Sequence, residues 1–303
     1  MTIPTRPFGK SGEQVSLLAL GGAHIAKPAE DEGIRIVHEA IDAGVTFLDN
    51  AWEYNGRESE RRMGIALAMD GYRANAFLMT KDCAHDRVAT HSMEKLESSL
   101  EMLQTDYLDL WQIHEVVWEE DPDKIFAPGG SAEAMLKAKE QGKVRFIGFT
   151  GHKHPNIHRR MLAQGFPWDA VQMPLNVLDA HYASFEREIL PLCQEQGIAV
   201  LGMKTNAGGH LNDTNMGISP EEAIRYAMSL PVATVISGMD SLEVLRKNIA
   251  VADGFVALSD DDRTALLARS APHADEGVAE PFKSSRKFEG TEGRKANGYP
   301  LNA

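Results

Sequence analysis

Four side chains that could transfer protons stand at or just after the ends of short apolar segments. Asp49 follows VTFL, Lys81 follows AFLMT, His114 follows YLDLWQI, and Tyr54 comes five residues after Asp49. Each has an ordinary explanation alone, since a strand-end aspartate often begins a helix, a rim lysine is often solvated, and a buried histidine or a loop tyrosine often only packs. Four such groups at three successive segment ends indicate a shared site instead.

Together these side chains form a set suited to acid–base chemistry. A tyrosine hydroxyl has a pKa of about 10 and is a poor acid at neutral pH. The ammonium of Lys81 would favour the phenolate and lower that pKa, while Asp49 would keep the ammonium charged and oriented. His114 would hydrogen-bond a substrate oxygen. The set predicts a general acid aimed at a carbonyl oxygen, and since no side chain supplies hydride, an organic cofactor is required.

The elements that must position these groups follow from alternating strand and helix patterns. Helical segments separate the apolar ones, as in 30–44, where apolar residues line one face before Gly44. The apolar segments are mostly continuous, which is typical of strands covered on both faces. They are 15–22, 45–50, 76–81, 107–114, 144–151, 169–174, 198–204 and 232–238. Eight strand–helix units predict an α/β fold, the (β/α)8 TIM barrel, with the four groups on one face. A doubly wound sheet is the alternative, but it gives no reason to stop at eight.

The rest of the chain predicts one domain over residues 1–303. Residues 1–14 are expected to form a small cap with a hairpin turning at Lys10–Gly12, and the barrel to span about 15–255. The C-terminal extension 256–303 is expected to contain one helix at 259–269 and then a polar, glycine-rich tail. Such a tail either packs over the barrel or stays loose.

These motifs resemble those of the aldo-keto reductases over about residues 5–255. The spacing of Asp49 and Tyr54, the segment 57–64 that follows them, and the strand-end Lys81 and His114 are all similar to the family's pattern. The resemblance implies that Tyr54 is the acid/base, that Asp49 and Lys81 tune it, and that His114 orients the carbonyl.

The second half of the chain is similar to the family's nicotinamide-binding half. Gln172 stands where the family hydrogen-bonds the carboxamide, and SGMDSLEVLRKN is similar to its adenosine-binding segment. The resemblance implies a cofactor site built from Gly22, Thr150, His152, Gln172, Met203, Lys204, Thr205, Asn206, Gly238, Met239, Asp240, Arg246 and Asn248.

Two loops depart from the family's pattern on the nicotinamide side. The family's Ser-Asn after the fifth segment is Thr150-Gly151 here, so His152 either reaches inward in its place or lies in solvent. The aromatic residue that usually stacks on the nicotinamide is Met203, an apolar but softer surface. Lys204 adds a cation where the pyrophosphate would lie.

A third departure concerns the choice of cofactor. Asp240 stands where relatives that favour NADPH have a basic residue. A carboxylate beside the ribose would accept from a 2′-hydroxyl and repel a 2′-phosphate, although Arg246 is close enough in sequence to compensate. The resemblance favours NADP(H), and NAD(H) is the alternative.

Two tryptophan residues are candidates for the substrate pocket. Trp52, between Asp49 and Tyr54, is a candidate for the substrate pocket; Trp118, in the long loop 115–130, either lines that pocket or anchors the loop.

A barrel lyase or aldolase forming a Schiff base through Lys81 would need a lysine of lowered pKa, which a neighbouring aspartate opposes. A nucleotide-binding, non-catalytic subunit is the other alternative.

Composition argues against several further classes. Acidic residues outnumber basic ones 44 to 31, for a net charge of −13, which opposes a broad nucleic-acid surface. No apolar segment reaches the ~18 residues of a membrane span, and the first residues do not form a secretory signal. Cys83 and Cys193 lie far apart, so neither a disulfide framework nor a metal site is predicted. We expect a cytoplasmic enzyme for a small carbonyl or alcohol substrate, and the oligomeric state stays open.

Overall fold

Eight parallel strands close into a barrel. The structure, a computed structural model, describes residues 3–213, 215–286 and 288–301. Around the barrel the strands run in the order β10-β3-β4-β5-β6-β7-β8-β9, which confirms the predicted TIM barrel. The strands are β1 Thr5–Pro7, β2 Gln14–Ser16, β3 Leu18–Gly21, β4 Phe47–Asp49, β5 Phe77–Asp82, β6 Leu108–Ile113, β7 Val144–Thr150, β8 Ala170–Pro174, β9 Ala199–Met203 and β10 Thr234–Gly238.

Helices connect successive barrel strands and continue beyond the last one. The α-helices are α1 Glu30–Asp42, α2 Glu58–Ala68, α3 Ala89–Met102, α4 Asp121–Ile125, α5 Ser131–Glu140, α6 Pro155–Leu162, α7 Phe185–Glu188, α8 Leu190–Gln196, α9 Pro220–Ser229, α10 Leu242–Ala252, α11 Asp260–Ser270, α12 Pro281–Ser284 and α13 Thr291–Ala296. Local sequence signals set several of their ends. Gly44 follows α1 at a φ of 93°, and Ser219 begins α9 with a reciprocal capping box. No helix among the described residues has the length and apolar character needed to cross a membrane.

The N-terminal hairpin closes one end of the barrel. Strands β1 and β2 pair antiparallel, and between them Phe8 enters the barrel, where its side chain is 1% exposed. Its ring centroid lies 4.9 Å from that of Phe77 and 5.2 Å from that of Phe146. An apolar plug at this end leaves the opposite mouth, where the parallel strands end, for a site.

Three elements differ from the sequence prediction. The expected strand 15–22 is divided, because its first residues pair in the hairpin and only Leu18–Gly21 joins the barrel. The helical segment expected between the strand segments 169–174 and 198–204 breaks at Ile189, ahead of Pro191, which lacks an amide hydrogen for the helical ladder. Loop 115–130 contains the short helix α4, whose first residue, Asp121, accepts the backbone N–H groups of the preceding loop.

Candidate active site

Lys81 connects the side chains that the sequence placed at the first strand ends. Its ammonium donates to Asp49 Oδ1 at 2.5 Å, to the carbonyl of Asn50 at 2.7 Å, and to the Tyr54 hydroxyl at 3.2 Å. Lys81 and Asp49 are both almost fully buried, at 1% and 3% exposed. An ammonium has three hydrogens, so this arrangement engages all of them.

A tight turn after β4 holds Tyr54 in place. Asn55, Gly56 and Arg57 have consecutive positive φ angles of 51°, 61° and 79°, a conformation that costs free energy in residues other than glycine. Anchoring contacts compensate for it, since the Arg57 guanidinium reaches the Ser98 carbonyl at 2.9 Å. The turn therefore fixes the direction in which the phenol leaves the backbone.

The tyrosine hydroxyl is held in its protonated form. Burial, followed by the charge of Asp49, raises the pKa of Tyr54 well above its ordinary value. This differs from the expectation that Lys81 would lower it, because desolvation and the nearby carboxylates outweigh the single ammonium. A neutral phenol is the form that can give a proton to a carbonyl oxygen.

His114 is fixed from two sides. The buried Arg87 guanidinium donates to the carbonyls of His114 and Glu115 at 2.8 Å each. Nδ1 of His114 lies 2.9 Å from Glu53 Oε1, and the imidazole ring stands edge-on to the Tyr54 ring at 5.7 Å between centroids. Since an ionised carboxylate can only accept, Nδ1 carries hydrogen, and Nε2 of a neutral ring is then an acceptor.

Glu53 is ionised and bridges two histidines. Burial alone would raise its pKa, but hydrogen bonds from His114 and from His85, whose Nε2 lies 3.0 Å from Glu53 Oε2, hold the pKa of this carboxyl well below its ordinary value. Glu115 behaves alike: despite its burial, contacts with His152 and His114 lower its pKa to about 2. Two carboxylates thus lie beside the histidine that faces Tyr54.

A cleft of about 490 Å³ opens beside Tyr54 and runs across the ends of β8, β9 and β10. It is rimmed by Lys27 and His24 at one side and Phe288 at another. Six of the sequence-predicted cofactor residues line it, which are Gln172, Met203, Lys204, Thr205, Asn206 and Gly238. We name this space the dinucleotide cleft.

Unpaired polar atoms in the dinucleotide cleft fit a carboxamide-bearing cofactor. The side-chain oxygen of Gln172 is buried without a hydrogen-bond partner among the described residues, and its nitrogen contacts only the Met203 sulfur at 3.6 Å. Asn206 Oδ1 is likewise buried and unpaired within the described chain. A buried acceptor without a donor costs free energy. Both atoms therefore suit a ligand that brings N–H or O–H groups.

Lys204 gives this cleft a cation that forms no ion pair among the described residues. Its ammonium lies 5.3 Å and 5.5 Å from the ring centroids of Phe282 and Phe288, and the described residues place no acidic group within ion-pair distance of it. Burial lowers the pKa of Lys204 below its ordinary value. A phosphate would give this ammonium the anionic partner that the described residues do not supply.

Other predicted cofactor residues lie beside the cleft rather than on its wall. Gly22 packs so closely on β4 that a Cβ there would lie 2.3 Å from the Asp49 carbonyl. Thr150 is buried at the end of β7. His152 points inward, 4% exposed, with Nδ1 3.3 Å from the Phe282 carbonyl. Of the two alternatives expected for His152, the position in solvent is therefore wrong. Met239 is fully buried.

The adenosine-side candidates are paired with neighbouring side chains. The Asp240 carboxylate lies 3.9 Å from the Lys27 ammonium. Arg246 forms a two-pronged contact with Glu39 on α1, at 2.5 and 2.9 Å, and its side chain is 62% exposed. Asn248 is buried and donates to Ser237 Oγ at 3.0 Å.

Neither tryptophan lines the dinucleotide cleft. Trp52 faces away from Tyr54, with the Lys95 ammonium 3.2 Å from its ring centroid, and borders a second space of about 370 Å³ that we name the outer cleft. Trp118 is 8% exposed beneath the C-terminal segment, with Tyr299 at 5.8 Å between ring centroids. Trp118 thus has the contacts of an anchor for the tail, and the substrate-pocket role of Trp52 stays a prediction.

The C-terminal segment packs over the barrel mouth. A buried cluster fastens it: Lys283 donates to Asp179 at 2.6 Å, contacts Glu280 at 2.7 Å and donates to the Tyr182 carbonyl at 2.9 Å. Farther along, Gly293 lies so close to Trp118 that a Cβ would come within 2.3 Å of the indole. Of the two states that the sequence left open for the tail, the packed one is observed.

Lys283→Met should release this segment. Removing the ammonium leaves two buried carboxylates without a cation, and breaking a buried ion pair costs about 3–5 kcal/mol. We expect residues 281–299 to lose hydrogen-exchange protection while the barrel strands keep theirs. Lys295→Met is the matched control, because Lys295 and its partner Glu292 are both more than half exposed. Unchanged protection in Lys283→Met would contradict the anchoring role.

Several residues of the site carry no sequence signal of their own. Glu53 and Glu115 stand next to the predicted Tyr54 and His114, but adjacency in sequence does not show that both carboxylates turn toward the imidazole. Phe282 and Phe288 belong to a tail whose path over the mouth depends on long-range contacts.

Comparison with known proteins agrees with this geometry. The model of the Aldo/keto reductase family matches residues 17–221. Aldo-keto reductase YhdN of Bacillus subtilis (strain 168) is 31% identical over 195 residues, which cover 60% of this chain and 54% of that protein. L-galactose dehydrogenase of Arabidopsis thaliana is 26% identical over 326 residues, covering 93% and 96%. The structure of aldo-keto reductase AKR11C1 from Bacillus halodurans (holo form) shares the fold, with a TM-score of 0.75 at 24% identity over 88% of this chain and 96% of that one. The chain belongs to the aldo-keto reductase family, oxidoreductases that interconvert carbonyl compounds and alcohols.

Proposed function

We propose that this protein reduces an aldehyde or ketone to an alcohol, or runs the reverse reaction, with hydride from NAD(P)H and a proton from Tyr54. The observation that carries the proposal is the single ammonium of Lys81, which binds both Asp49 and Tyr54 beside His114. The dinucleotide cleft begins at this cluster, since Asp49 and Tyr54 themselves form part of its lining.

Each side chain then has a distinct task. The cofactor, when bound, supplies hydride to the carbonyl carbon. Tyr54, protonated and fixed by its turn, gives its hydroxyl proton to the carbonyl oxygen as negative charge develops there. Lys81 then stabilises the phenolate that remains, because its ammonium already lies 3.2 Å from that oxygen. His114 would orient the carbonyl by donating from Nε2 when that nitrogen carries hydrogen, and Gln172 would hold the cofactor's carboxamide.

The same geometry disfavours a Schiff-base lyase. A nucleophilic lysine must be a neutral amine with a free lone pair. Lys81 instead donates its three hydrogens to Asp49, Asn50 and Tyr54, so its nitrogen has no free lone pair. A non-catalytic, nucleotide-binding subunit would have no need of the connected tetrad.

Turnover with both cofactors tests the proposal directly. Purified protein should consume NADPH or NADH, followed by the absorbance of the reduced nicotinamide, with a panel of small aldehydes and ketones. The panel should include sugar carbonyls, because relatives of this chain carry the names L-galactose dehydrogenase and 6-dehydroglucose reductase. No consumption with any member, together with borohydride trapping of a lysine adduct, would overturn the reductase in favour of the lyase.

For the cofactor itself we propose NADP(H) as the favoured form, with NAD(H) accepted. Support comes from Lys27, a cation on the wall of the cleft near Gly238. Asp240 opposes it, because its carboxylate lies 3.9 Å from that ammonium and would repel a 2′-phosphate. Arg246, already neutralised by Glu39, contributes little to the choice.

Asp240→Asn should therefore raise the preference for NADPH over NADH. Removing one exposed charge beside the phosphate is worth about 1 kcal/mol, or a several-fold change in the ratio of kcat/KM values. Lys27→Met should shift the ratio in the opposite direction. Arg246→Met is the control and should leave the ratio close to that of the wild type. Equal ratios in all three variants would show that the 2′ position lies elsewhere.

A further inference from the structure

Four potential metal ligands, one of which is His114, converge outside the dinucleotide cleft. Glu53, Cys83, His85 and His114 each offer one atom, and these atoms all lie within 4.8 Å of one another. Nδ1 of His114 is 3.3 Å from Cys83 Sγ and 2.9 Å from Glu53 Oε1, while Nε2 of His85 is 3.0 Å from Glu53 Oε2. These side chains contact one another directly, so the fold itself brings them together.

The donor set is the one that zinc prefers. Zn²⁺ takes nitrogen, thiolate and carboxylate ligands in tetrahedral geometry, at about 2.0–2.1 Å for nitrogen and about 2.3 Å for sulfur. Ligand atoms at those distances are about 3.3–3.7 Å apart. The hydrogen-bonded separations of 2.9–3.3 Å lie just below this range, and the widest separation in the set is no more than 4.8 Å, so side-chain movements of about an ångström would bring all four atoms to an ion. We propose that Glu53, Cys83, His85 and His114 form a binding site for a zinc ion.

The charge and burial of the site suit a divalent ion. Cys83, His85 and His114 are 6%, 3% and 6% exposed, whereas the Glu53 side chain is 23% exposed. Binding of Zn²⁺ displaces the thiol proton of Cys83 to solvent, and one thiolate with one carboxylate then offsets the two positive charges. Two neutral imidazoles complete the set.

The outer cleft gives an ion a route to this site. Glu53, Cys83 and His85 line its inner wall, and carboxylates of Asp86, Glu94 and Glu292 stand around it. Its lysine, Lys95, is turned onto the Trp52 ring. An acidic opening raises the local concentration of cations, and the route does not pass through the dinucleotide cleft.

A zinc ion in this site would determine which ring nitrogen of His114 carries hydrogen. In the hydrogen-bonded cluster Nδ1 carries the proton toward Glu53, so Nε2 of a neutral ring is an acceptor. With zinc on Nδ1, the proton of a neutral ring resides on Nε2, which becomes a donor. This consequence depends on the proposed function, but binding of zinc itself does not.

Metal binding by the whole protein, without substrate or cofactor, tests the site. After treatment with a chelator, the wild type should take up one equivalent of Zn²⁺ in calorimetric titration. With Co²⁺ it should give a thiolate-to-metal charge-transfer band and the strong visible bands of a tetrahedral ion. Cys83→Ala should lose the charge-transfer band. The same substitution should weaken Zn²⁺ binding by more than the ~10–100-fold that follows the loss of a residue that only hydrogen-bonds to a metal ligand.

Matched variants separate the site from surface binding. Cys193→Ala removes the other buried cysteine, and His91→Gln removes a half-exposed histidine of the outer cleft that pairs with Asp86. Both should bind zinc like the wild type. His85→Gln should bind zinc as weakly as Cys83→Ala, and its thermal unfolding midpoint should show that it is still folded. Absent binding by the wild type, or equal binding by all four variants, would overturn the proposal whatever the reductase assay shows.

Discussion

Tyr54→Phe should lower kcat by about 10²–10⁴-fold, the range typical of a positioned general acid. The phenylalanine ring keeps the shape of the side chain but has no proton to give to the carbonyl oxygen. Affinity for NADPH should stay within a factor of about two of the wild type, since only the hydroxyl is lost from the cleft wall. Steady-state kinetics and calorimetric titration of NADPH measure the two quantities.

A second tyrosine provides the control for this result. Tyr72→Phe removes a hydroxyl that hydrogen-bonds the exposed Asp42 at 3.2 Å, away from the cleft. Its kcat should match that of the wild type. If Tyr54→Phe instead lost NADPH binding in parallel with turnover, the hydroxyl would have a structural role and the proposed proton transfer would be wrong.

Lys81→Met should destabilise the protein and abolish measurable turnover. The change leaves Asp49, 3% exposed, without its cation, and breaking a buried ion pair costs about 3–5 kcal/mol. It also removes the group that stabilises the Tyr54 phenolate. Denaturant unfolding gives the stability change, and the cofactor assay gives the activity.

A double substitution separates the two effects. In Lys81→Met with Asp49→Asn the buried charge is gone, so most of the lost stability should return while activity does not. Lys143→Met, at an exposed pair with Glu97, should change stability by no more than about 1 kcal/mol. Recovery of turnover in the double variant would show that Lys81 acts only through folding.

The barrel and the tetrad could be predicted because their signals are local. Continuous apolar segments indicate covered parallel strands, and the ends of such strands share one mouth of a barrel. Asp49, Lys81 and His114 therefore had to lie near one another once eight units were recognised. Tyr54 needed only a short turn after its strand, and the structure adds the three positive φ angles that direct it.

Other parts of the site depend on contacts that sequence patterns do not encode. The tail's path over the mouth is set by the distant partners of Lys283, and the pKa of Tyr54 is set by burial that no spacing reveals. The convergence of Cys83 and His85 with Glu53 and His114 has no sequence signal, because residues from separate strand ends have no fixed spacing. Trp52 borders the outer cleft and not the dinucleotide cleft, because a residue between two site residues can still face outward.

The position of Trp118 beneath the tail gives the protein an optical reporter of its own mouth. Its indole lies against Gly293 and Tyr299, so release of the segment would expose it to water and shift its fluorescence emission to longer wavelength. Trp111 and Trp168 stay in the core and would supply a constant background, while Trp52, which lines the outer cleft with Glu292 and Ala296 of the tail, would respond to the same release. Opening and closing of the mouth can therefore be timed by stopped-flow fluorescence on the unlabelled protein.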